Sequence, residues 1–392
     1  MAARPLPDML YAASEMFQDL DMPQPTAFGL PSDQGGKDLG IFLPIANGGW
    51  ILSSTTPAID GSYEHNRRVA LLAEAIGLDF IMSMAKFRGY GGVTEHWRSS
   101  LDSLVLMSAL AAQTERVKIW TTFHTLLQNP AVAAKMIATL DQVSHGRAGL
   151  NVVPGAYRGE FEQMGAWPCD LDHDQRYDLS TEWVRAVKRL WTEPSVTQHG
   201  RYFTLDDCQS EPKPVQKPRP FLVAAGMSER GMRFTVEETD AIFIGGRDDD
   251  ELREVGLRAK AMARAAGRAL RTYALLILVI EDSDAAADAT LARFRTGFDE
   301  EAFCGMLRSY GMIDAEACRE NAFTARARSG IMAPHAAGTP ETITRRMIQL
   351  MEDAALDGMM LIFPDYEAGL RRFGACILPP LRAHFTHVGG AS

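Results

Sequence analysis

Short runs of consecutive apolar residues alternate with helical segments along most of the chain. In eight runs the apolar residues follow one another instead of alternating with polar ones, which is typical of strands buried on both faces. They are segments 39–44, 80–84, 117–122, 148–153, 221–226, 241–246, 274–280 and 358–364. Helices between the strands make parallel crossovers the natural connection. We therefore predict an α/β fold, a single (β/α)8 TIM barrel with insertions, over residues 38–392.

Three stretches do not fit this repeat. Residues 1–37 combine a short helical pattern with a Pro/Gly-rich run and are predicted to form an N-terminal extension or arm. Segments near 192–220 and 308–338 are predicted insertions, which in barrels tend to border the active site. The first contains the hairpin-like VTQHGRYFTL. An open doubly wound sheet is the rival architecture, but the GxGxxG fingerprint after the first strand is missing.

Composition narrows the function classes. Hydrophobic residues make up 46% and charged residues 23%, as in soluble globular proteins. A net charge of -10 disfavours a nucleic-acid partner. The 5 cysteines are far apart and lack CxxC spacing, so we expect no metal site, no disulfide framework and a cytoplasmic location. No signal peptide and no apolar stretch of membrane-spanning length is visible.

Candidate chemistry lies at the carboxyl ends of the predicted strands, where barrel enzymes place their catalytic residues. The polar residues found there are Asn47, Lys86, Thr122, Asn151, Glu160, Arg176, Tyr177 and Ser228. Each also has a structural interpretation: Asn47 suits a turn, Ser228 an N-cap and Arg176 a surface ion pair. Their common position on one barrel face favours function. The helix start at Ser228 also suits a mononucleotide phosphate, with Arg176 and Tyr177 as donors.

Several longer motifs resemble a known family. They are IFLPIANGGW (41–50), DFIMSMAKFRGYGGVTEHW (79–97), NPAVAAKMIATLDQVSHGRAGLNVV (129–153), GEFEQMGAWP (159–168), RYDLSTEWV (176–184), FTLDDC (203–208) and AAGMSERGM (224–232). With these motifs the chain resembles the bacterial-luciferase-like flavin-dependent monooxygenases, and within them the pyrimidine monooxygenases of uracil catabolism. The resemblance implies a barrel of the bacterial-luciferase type. It thins after Asp248, although the final strand and helix remain similar.

The resemblance also implies site residues. FMN would contact Ala85, Lys86, Asn151, Glu160, Arg176, Tyr177 and Ser228. An oxygen pocket beside the flavin would be formed by Met82, Thr122, Asn151 and Val153, and several members of the family are thought to use a flavin-N5-peroxide there. An anionic peroxide needs hydrogen-bond donors in a dry pocket. Thr122 and Asn151 have such donors, while Met82 and Val153 exclude water.

On the substrate side the chain departs from the pyrimidine enzymes. Where they carry a Trp-Gln pair after Gly155, this chain has Ala156, Tyr157 and Arg158. A large side chain is lost and a cation gained, which favours a bulkier or anionic substrate. Phe123 and His124 replace small residues at the mouth of the site. The substrate-side candidates are Asn47, Trp50, His124, Ala156, Tyr157 and Arg158.

The leading interpretation is a two-component monooxygenase that receives FMNH2 from a separate NAD(P)H-dependent flavin reductase, since no NAD(P)H fingerprint is present. Its substrate would be a small, pyrimidine-like or other N-heterocyclic compound, and a homo-oligomer, dimer or tetramer, is expected. Sulfone or sulfonate monooxygenases are one alternative, although the seventh strand reads Leu275-Leu276-Ile277 where sulfonate enzymes carry Arg and His. A deazaflavin-dependent dehydrogenase and a non-catalytic flavin-binding barrel are the others.

Overall fold

The computed structural model describes residues 36–155, 157–246, 248–309, 331 and 333–389. The predicted extension, residues 1–37, lies almost wholly outside them. The strands are β1 (Asp38–Phe42), β2 (Phe80–Met82), β3 (Lys118–His124), β4 (Ala148–Val153), β5 (Val196–His199), β6 (Thr204–Cys208), β7 (Phe221–Ala224), β8 (Ala241–Ile244), β9 (Arg271–Ile280), β10 (His335–Gly338) and β11 (Gly358–Ile362).

Helices fill the connections between the barrel strands. They are α1 (Tyr63–Ala75), α2 (Ser103–Ala111), α3 (Pro130–Val143), α4 (Arg158–Glu162), α5 (His173–Thr192), α6 (Glu229–Glu238), α7 (Asp249–Ala265), α8 (Asp284–Thr296), α9 (Glu300–Ser309), α10 (Pro340–Asp353), α11 (Tyr366–Cys376) and α12 (Leu378–Gly389). Among the described helices, none is long and apolar enough to cross a membrane.

Eight parallel strands close into a barrel. Each strand pairs with the next in the order β1, β2, β3, β4, β7, β8, β9, β11, and β11 pairs with β1. All eight coincide with the predicted runs, so the (β/α)8 prediction is confirmed. Strand β10 adds in parallel to the carboxyl half of β9, outside the eight-strand cycle.

Large rings fill the barrel interior beside glycines of the neighbouring strands. Phe80 and Trp120 stack with their centroids 4.0 Å apart, and Tyr273 lies edge-on to both rings. Gly40 is the register partner of Phe80, and Gly149 that of Trp120. A Cβ at either glycine would overlap the paired ring. The glycines thus make room for an aromatic layer that closes the barrel below the site.

Side-chain caps fix the starts of several helices, among them the one predicted at Ser228. Asn129 caps α3 ahead of Pro130, and its Oδ1 accepts a hydrogen bond from the Ala131 amide at 2.9 Å. Ser228 caps α6 and Thr339 caps α10 in the same way. In a helix interior, Asn, Ser and Thr side chains compete with the backbone for hydrogen bonds. At the helix start they accept hydrogen bonds from amides that have no partner within the helix.

The segment near 192–220 forms the predicted hairpin but lies elsewhere than expected. The antiparallel pair β5–β6 joins the end of α5 to the start of β7. Its Pro-rich connector packs at the amino-terminal end of the barrel, where Gln216 donates to Asp141 and to the Ala148 carbonyl at the start of β4. An α-to-β connection begins and ends away from the carboxyl ends of the strands. The expectation that this insertion borders the site is therefore wrong.

The second predicted insertion, 308–338, lies in the connection after β9, at the carboxyl end of the barrel, and begins in the last turn of α9. Within 308–338, residues 310–330 and 332 lie outside the described part of the chain. The buried face of α9 packs Phe303, Met306 and Leu307 into an apolar cluster with Tyr90 and Trp97. Helix α9 thus lies over the loop that follows β2.

Gly149→Ala should lower the free energy of unfolding by about 1–3 kcal/mol, because the new methyl group collides with the Trp120 ring. Urea unfolding measures this change. In a double-mutant cycle with Trp120→Phe, the smaller ring should recover part of the loss. Strictly additive effects would show that the two positions do not interact.

Candidate active site

The ends of β3 and β4 bring two predicted pocket residues side by side. Thr122 and Asn151 are register partners, and both are buried. Met82, buried at the end of β2, and Val153, half-buried at the end of β4, lie at neighbouring strand ends. The structure therefore places the four predicted pocket residues on one rim, as strand ends of a parallel barrel require.

A chain of hydrogen bonds fixes the Asn151 amide. The Thr122 hydroxyl donates to the Ser83 carbonyl at 2.6 Å. Its oxygen is then free to accept from Asn151 Nδ2, at 3.0 Å. Asn151 Oδ1 is buried and has no partner among the described residues. The hydroxyl proton of Thr122 is already used, which corrects the expectation that Thr122 donates to an oxygen species; the second Nδ2 hydrogen of Asn151 remains.

Lys86 and Glu160 form a buried ion pair. Lys86 follows β2 and Glu160 lies in the first turn of α4, and the atoms Nζ and Oε1 are 2.5 Å apart with both side chains 1% exposed. The ammonium group also lies 4.0 Å from the ring centre of Tyr157 and 4.4 Å from that of Tyr90. Burial lowers the Lys86 pKa, and the Glu160 carboxylate opposes this shift. Ion pair and ring faces together compensate for lost hydration.

His124 is buried at the end of β3. Its Nε2 lies 3.3 Å from the Ala85 carbonyl, so Nε2 carries the hydrogen and Nδ1 faces inward as an acceptor without a described partner. The ring packs edge-on against Phe161 at 5.1 Å. Burial lowers the pKa of His124, so the imidazole is neutral near pH 7. His124 holds the backbone of Ala85, a predicted cofactor contact, in place.

A second polar group lies at the start of α6. Ser228 caps this helix, and its Oγ accepts from the Gly231 amide at 3.0 Å. Tyr177 shares a side-chain hydrogen bond with Ser228, and burial raises the pKa of its hydroxyl. A Cβ at Gly231 would lie 2.5 Å from the Tyr177 oxygen, so glycine is needed for this approach. Tyr177 and Ser228, predicted to bind the phosphate, therefore lie together.

Arg176 lies near them without an acidic partner within 4 Å among the described residues. Its guanidinium packs 4.7 Å from the Trp167 ring centre and donates to the Leu171 carbonyl at 3.2 Å. Partial burial lowers its pKa. The alternative interpretation of Arg176 as a surface ion pair is not what the structure shows.

The substrate-side candidates separate into two groups. Trp50 packs on Trp97 at 4.9 Å, beside the cluster that surrounds Lys86, and Tyr157 covers the ammonium itself. Asn47 instead holds a loop: its amide donates to the Glu95 carbonyl and accepts from the Ser99 amide, both at 2.9 Å. These contacts resemble the turn-forming role that was the structural interpretation of Asn47.

Arg158 and Ala156 stay without support as substrate contacts. The Arg158 Nε lies 2.6 Å from Glu162 Oε1 on the outer face of α4, where the arginine side chain is 60% exposed. The cation gained relative to the pyrimidine enzymes is thus paired at the surface. Ala156 lies outside the described residues. No cluster of three or more metal-ligating side chains occurs in the described part of the chain.

Sequence reasoning missed His96. This side chain is fully buried, stacks on Trp97 at 5.2 Å and has no partner for either ring nitrogen among the described residues. Burial lowers its pKa to about 4. A histidine in a loop motif gives no sign of burial, which here comes from distant segments: a Cβ at Gly48 would lie 2.7 Å from His96 Nδ1.

Comparisons with known proteins show the family to which the chain belongs. Residues 38–358 match the family described as luciferase-like monooxygenase. Pyrimidine monooxygenase RutA of Variovorax paradoxus is 33% identical over 353 residues, covering 88% of this chain and 95% of that protein. The same enzyme of Methylobacterium radiotolerans is 35% identical over 362 residues, covering 90% and 94%.

Solved structures share the fold. A riboflavin lyase with modified FMN and its substrate riboflavin superposes with a TM-score of 0.79 at 22% identity, covering 89% of this chain and 92% of that one. An F420-dependent secondary alcohol dehydrogenase superposes with a TM-score of 0.67 at 22% identity, covering 88% and 99%. At these identities the likeness shows the barrel alone.

Glu160→Gln should destabilise the fold by about 3–5 kcal/mol, because it leaves the Lys86 ammonium buried without its counter-charge. Urea unfolding measures the loss. The double variant Lys86→Met with Glu160→Gln removes both charges and should recover most of it. A single variant as stable as the natural protein would mean that the pair is not desolvated.

Protonation of His96 should make the fold acid-sensitive. The unfolded chain takes up this proton near pH 6.5, whereas the folded chain resists it until about pH 4. Stability therefore falls as the pH drops from 6.5 to 4, by up to about 1.4 kcal/mol per pH unit from this group. His96→Phe should remove that part of the slope in urea unfolding measured across this range. Parallel curves for the two proteins would rule out this role.

Proposed function

The chain belongs to the luciferase-like monooxygenase family, and from that premise we propose that this flavin monooxygenase uses reduced FMN and dioxygen to oxygenate a small organic substrate. The observation that carries the proposal is the fixed Asn151 amide. Its Oδ1 is a buried acceptor without a described partner, which is costly unless a ligand supplies a donor. The N–H groups of a flavin ring supply such donors.

The remaining predicted contacts suit the rest of the cofactor. Glu160 Oε2 and His124 Nδ1 are further buried acceptors without described partners near the strand ends. At the start of α6, free backbone amides, the Ser228 hydroxyl and the Tyr177 hydroxyl form a site for a phosphate. Arg176, which lacks an acidic partner, supplies a cation next to them. The chain therefore has candidate contacts for both the flavin ring and the phosphate of FMN.

When bound, reduced flavin supplies the electrons that activate dioxygen. The protein's part is to orient and to exclude water. Asn151 has one Nδ2 hydrogen left for an oxygen species, and Thr122 fixes the orientation of the amide. Met82 and Val153 make the rim apolar, which strengthens the electrostatic effect of the amide.

For the substrate we propose a small N-heterocyclic compound. The named relatives are pyrimidine monooxygenases that span most of this chain. The resemblance implies a Trp-Gln pair against the pyrimidine in those enzymes, where this chain has Ala156, Tyr157 and Arg158, so a different ring or substituent is expected. We further propose that a separate NAD(P)H-dependent reductase supplies FMNH2.

A deazaflavin dehydrogenase on the same barrel is the main competitor, and formation of an oxygenated product separates the two. The purified chain is mixed with FMN, a flavin reductase and NADH, and oxygenated product and hydrogen peroxide are measured. Each FMNH2 consumes one O2 whether it autoxidises to hydrogen peroxide or oxygenates a substrate, so the expected result is a substrate-dependent product with a matching fall in hydrogen peroxide. No such product or fall, with tight binding of deazaflavin in place of FMN, would overturn the proposal.

Thr122→Val should uncouple the reaction. The variant keeps the side-chain shape but gives Asn151 Nδ2 no oxygen to donate to, so the amide loses its orientation. Oxygenated product per NADH should fall about tenfold or more, by analogy with loss of one oriented donor, while the contacts at the phosphate end keep FMN bound, which fluorescence measures.

Thr122→Ser is the matched control, because it retains the hydroxyl and should keep most of the coupling. If both variants lose coupling equally, the methyl group rather than the hydrogen bond matters. If neither loses it, Asn151 is not oriented through Thr122.

A further inference from the structure

A cleft borders the buried ion pair, because Glu160 is one of its lining residues. It lies between the loop after β2, the start of α4 and the last turn of α9, and has a volume of about 300 Å³. Helix α9 closes one wall so tightly that a Cβ at Gly305 would overlap the Tyr90 carbonyl oxygen. The residues around the cleft are Arg88, Gly89, Tyr90, Gly159, Glu160 and Arg308.

Two guanidinium groups stand at the cleft without acidic partners. Arg88 is exposed, and its side chain donates a long hydrogen bond of 3.4 Å to the Gly159 carbonyl. Arg308 is exposed on α9 and makes no ion pair with any described residue. A guanidinium group that is not paired with a carboxylate of the protein can donate two parallel hydrogen bonds to the oxygens of a planar anion.

The acid of the cleft does not cancel this charge. Glu160 is the carboxylate among the lining residues, and Lys86 neutralises it at 2.5 Å. Glu162, on the next turn of α4, is paired with Arg158. The described part of the cleft is therefore positive, although the whole chain carries a net charge of -10. Such a local reversal of sign attracts anions.

We propose that Arg88 and Arg308 bind a carboxylate group of the substrate. The inference rests on the proposed function, since it places the carboxylate beside the predicted flavin contact Glu160. The sequence predicted an anionic substrate because of Arg158, but Arg158 is paired at the surface. Arg88 and Arg308 have no acidic partner among the described residues and are available to bind such a substrate instead. The ring to be oxygenated then lies toward the strand ends, with its carboxylate at the cleft.

The test measures binding of matched pairs that differ in one carboxylate. Orotate is compared with uracil, and nicotinate with nicotinamide, by isothermal titration calorimetry on the FMN-loaded chain. In at least one of the two pairs, the compound with the carboxylate should bind about tenfold tighter or more than its neutral partner, which is the effect of one charge-assisted hydrogen bond. The preference should shrink when the salt concentration rises from about 0.1 M to about 1 M.

Single variants locate the preference. Arg88→Gln and Arg308→Gln should each weaken carboxylate binding about tenfold and leave the neutral partner unchanged, while Arg308→Lys keeps part of the affinity. Arg116→Gln is the matched control, because Arg116 is equally exposed but precedes β3 at the opposite end of the barrel. Urea unfolding confirms that the variants fold.

Three results would overturn the proposal: neither carboxylate preferred over its neutral partner, a preference that survives in both glutamine variants, or an equal loss in Arg116→Gln. Failure of the proposed function looks different. FMN titration and product formation on the same samples would then fail, while the carboxylate preference can still be measured on the cofactor-free chain.

Discussion

The Lys86–Glu160 ion pair determines how the upper part of this barrel is built. Taking two charges out of water costs several kcal/mol for each ion unless partners and packing compensate. Here the pair joins the loop after β2 to α4, and the aromatic rings around the ammonium draw in the cluster under α9. One electrostatic requirement thus fixes the loop, the short helix and the covering helix in a single arrangement.

Below this pair the barrel supplies a rigid floor. The stacked rings of Phe80 and Trp120 leave no channel through the centre, so chemistry is confined to the carboxyl ends of the strands. There the bond from Thr122 to Ser83 decides which face the Asn151 amide presents. The same geometry leaves buried acceptors without described partners, which the flavin of the proposed function would satisfy.

The sequence predicted the repeating part of this structure well. Eight apolar runs became eight barrel strands, and Ser228 caps its helix, because burial and capping are local patterns. Contacts between segments that are distant in the sequence were harder to predict. Lys86 and Glu160 were both candidates, but 74 positions in sequence separate them and nothing local predicts the 2.5 Å contact. For the same reason Arg158 was expected near the substrate although a partner one helical turn away, Glu162, holds it at the surface.

Incorporation of dioxygen into a product tests the central claim most directly. The chain, FMN, a flavin reductase and NADH are incubated under 18O2 with a panel of N-heterocycles, sulfones and sulfonates, and the products are analysed by mass spectrometry. The account predicts one 18O atom in the product of an N-heterocyclic substrate. Product without 18O, or reduction of deazaflavin in its place, would contradict it.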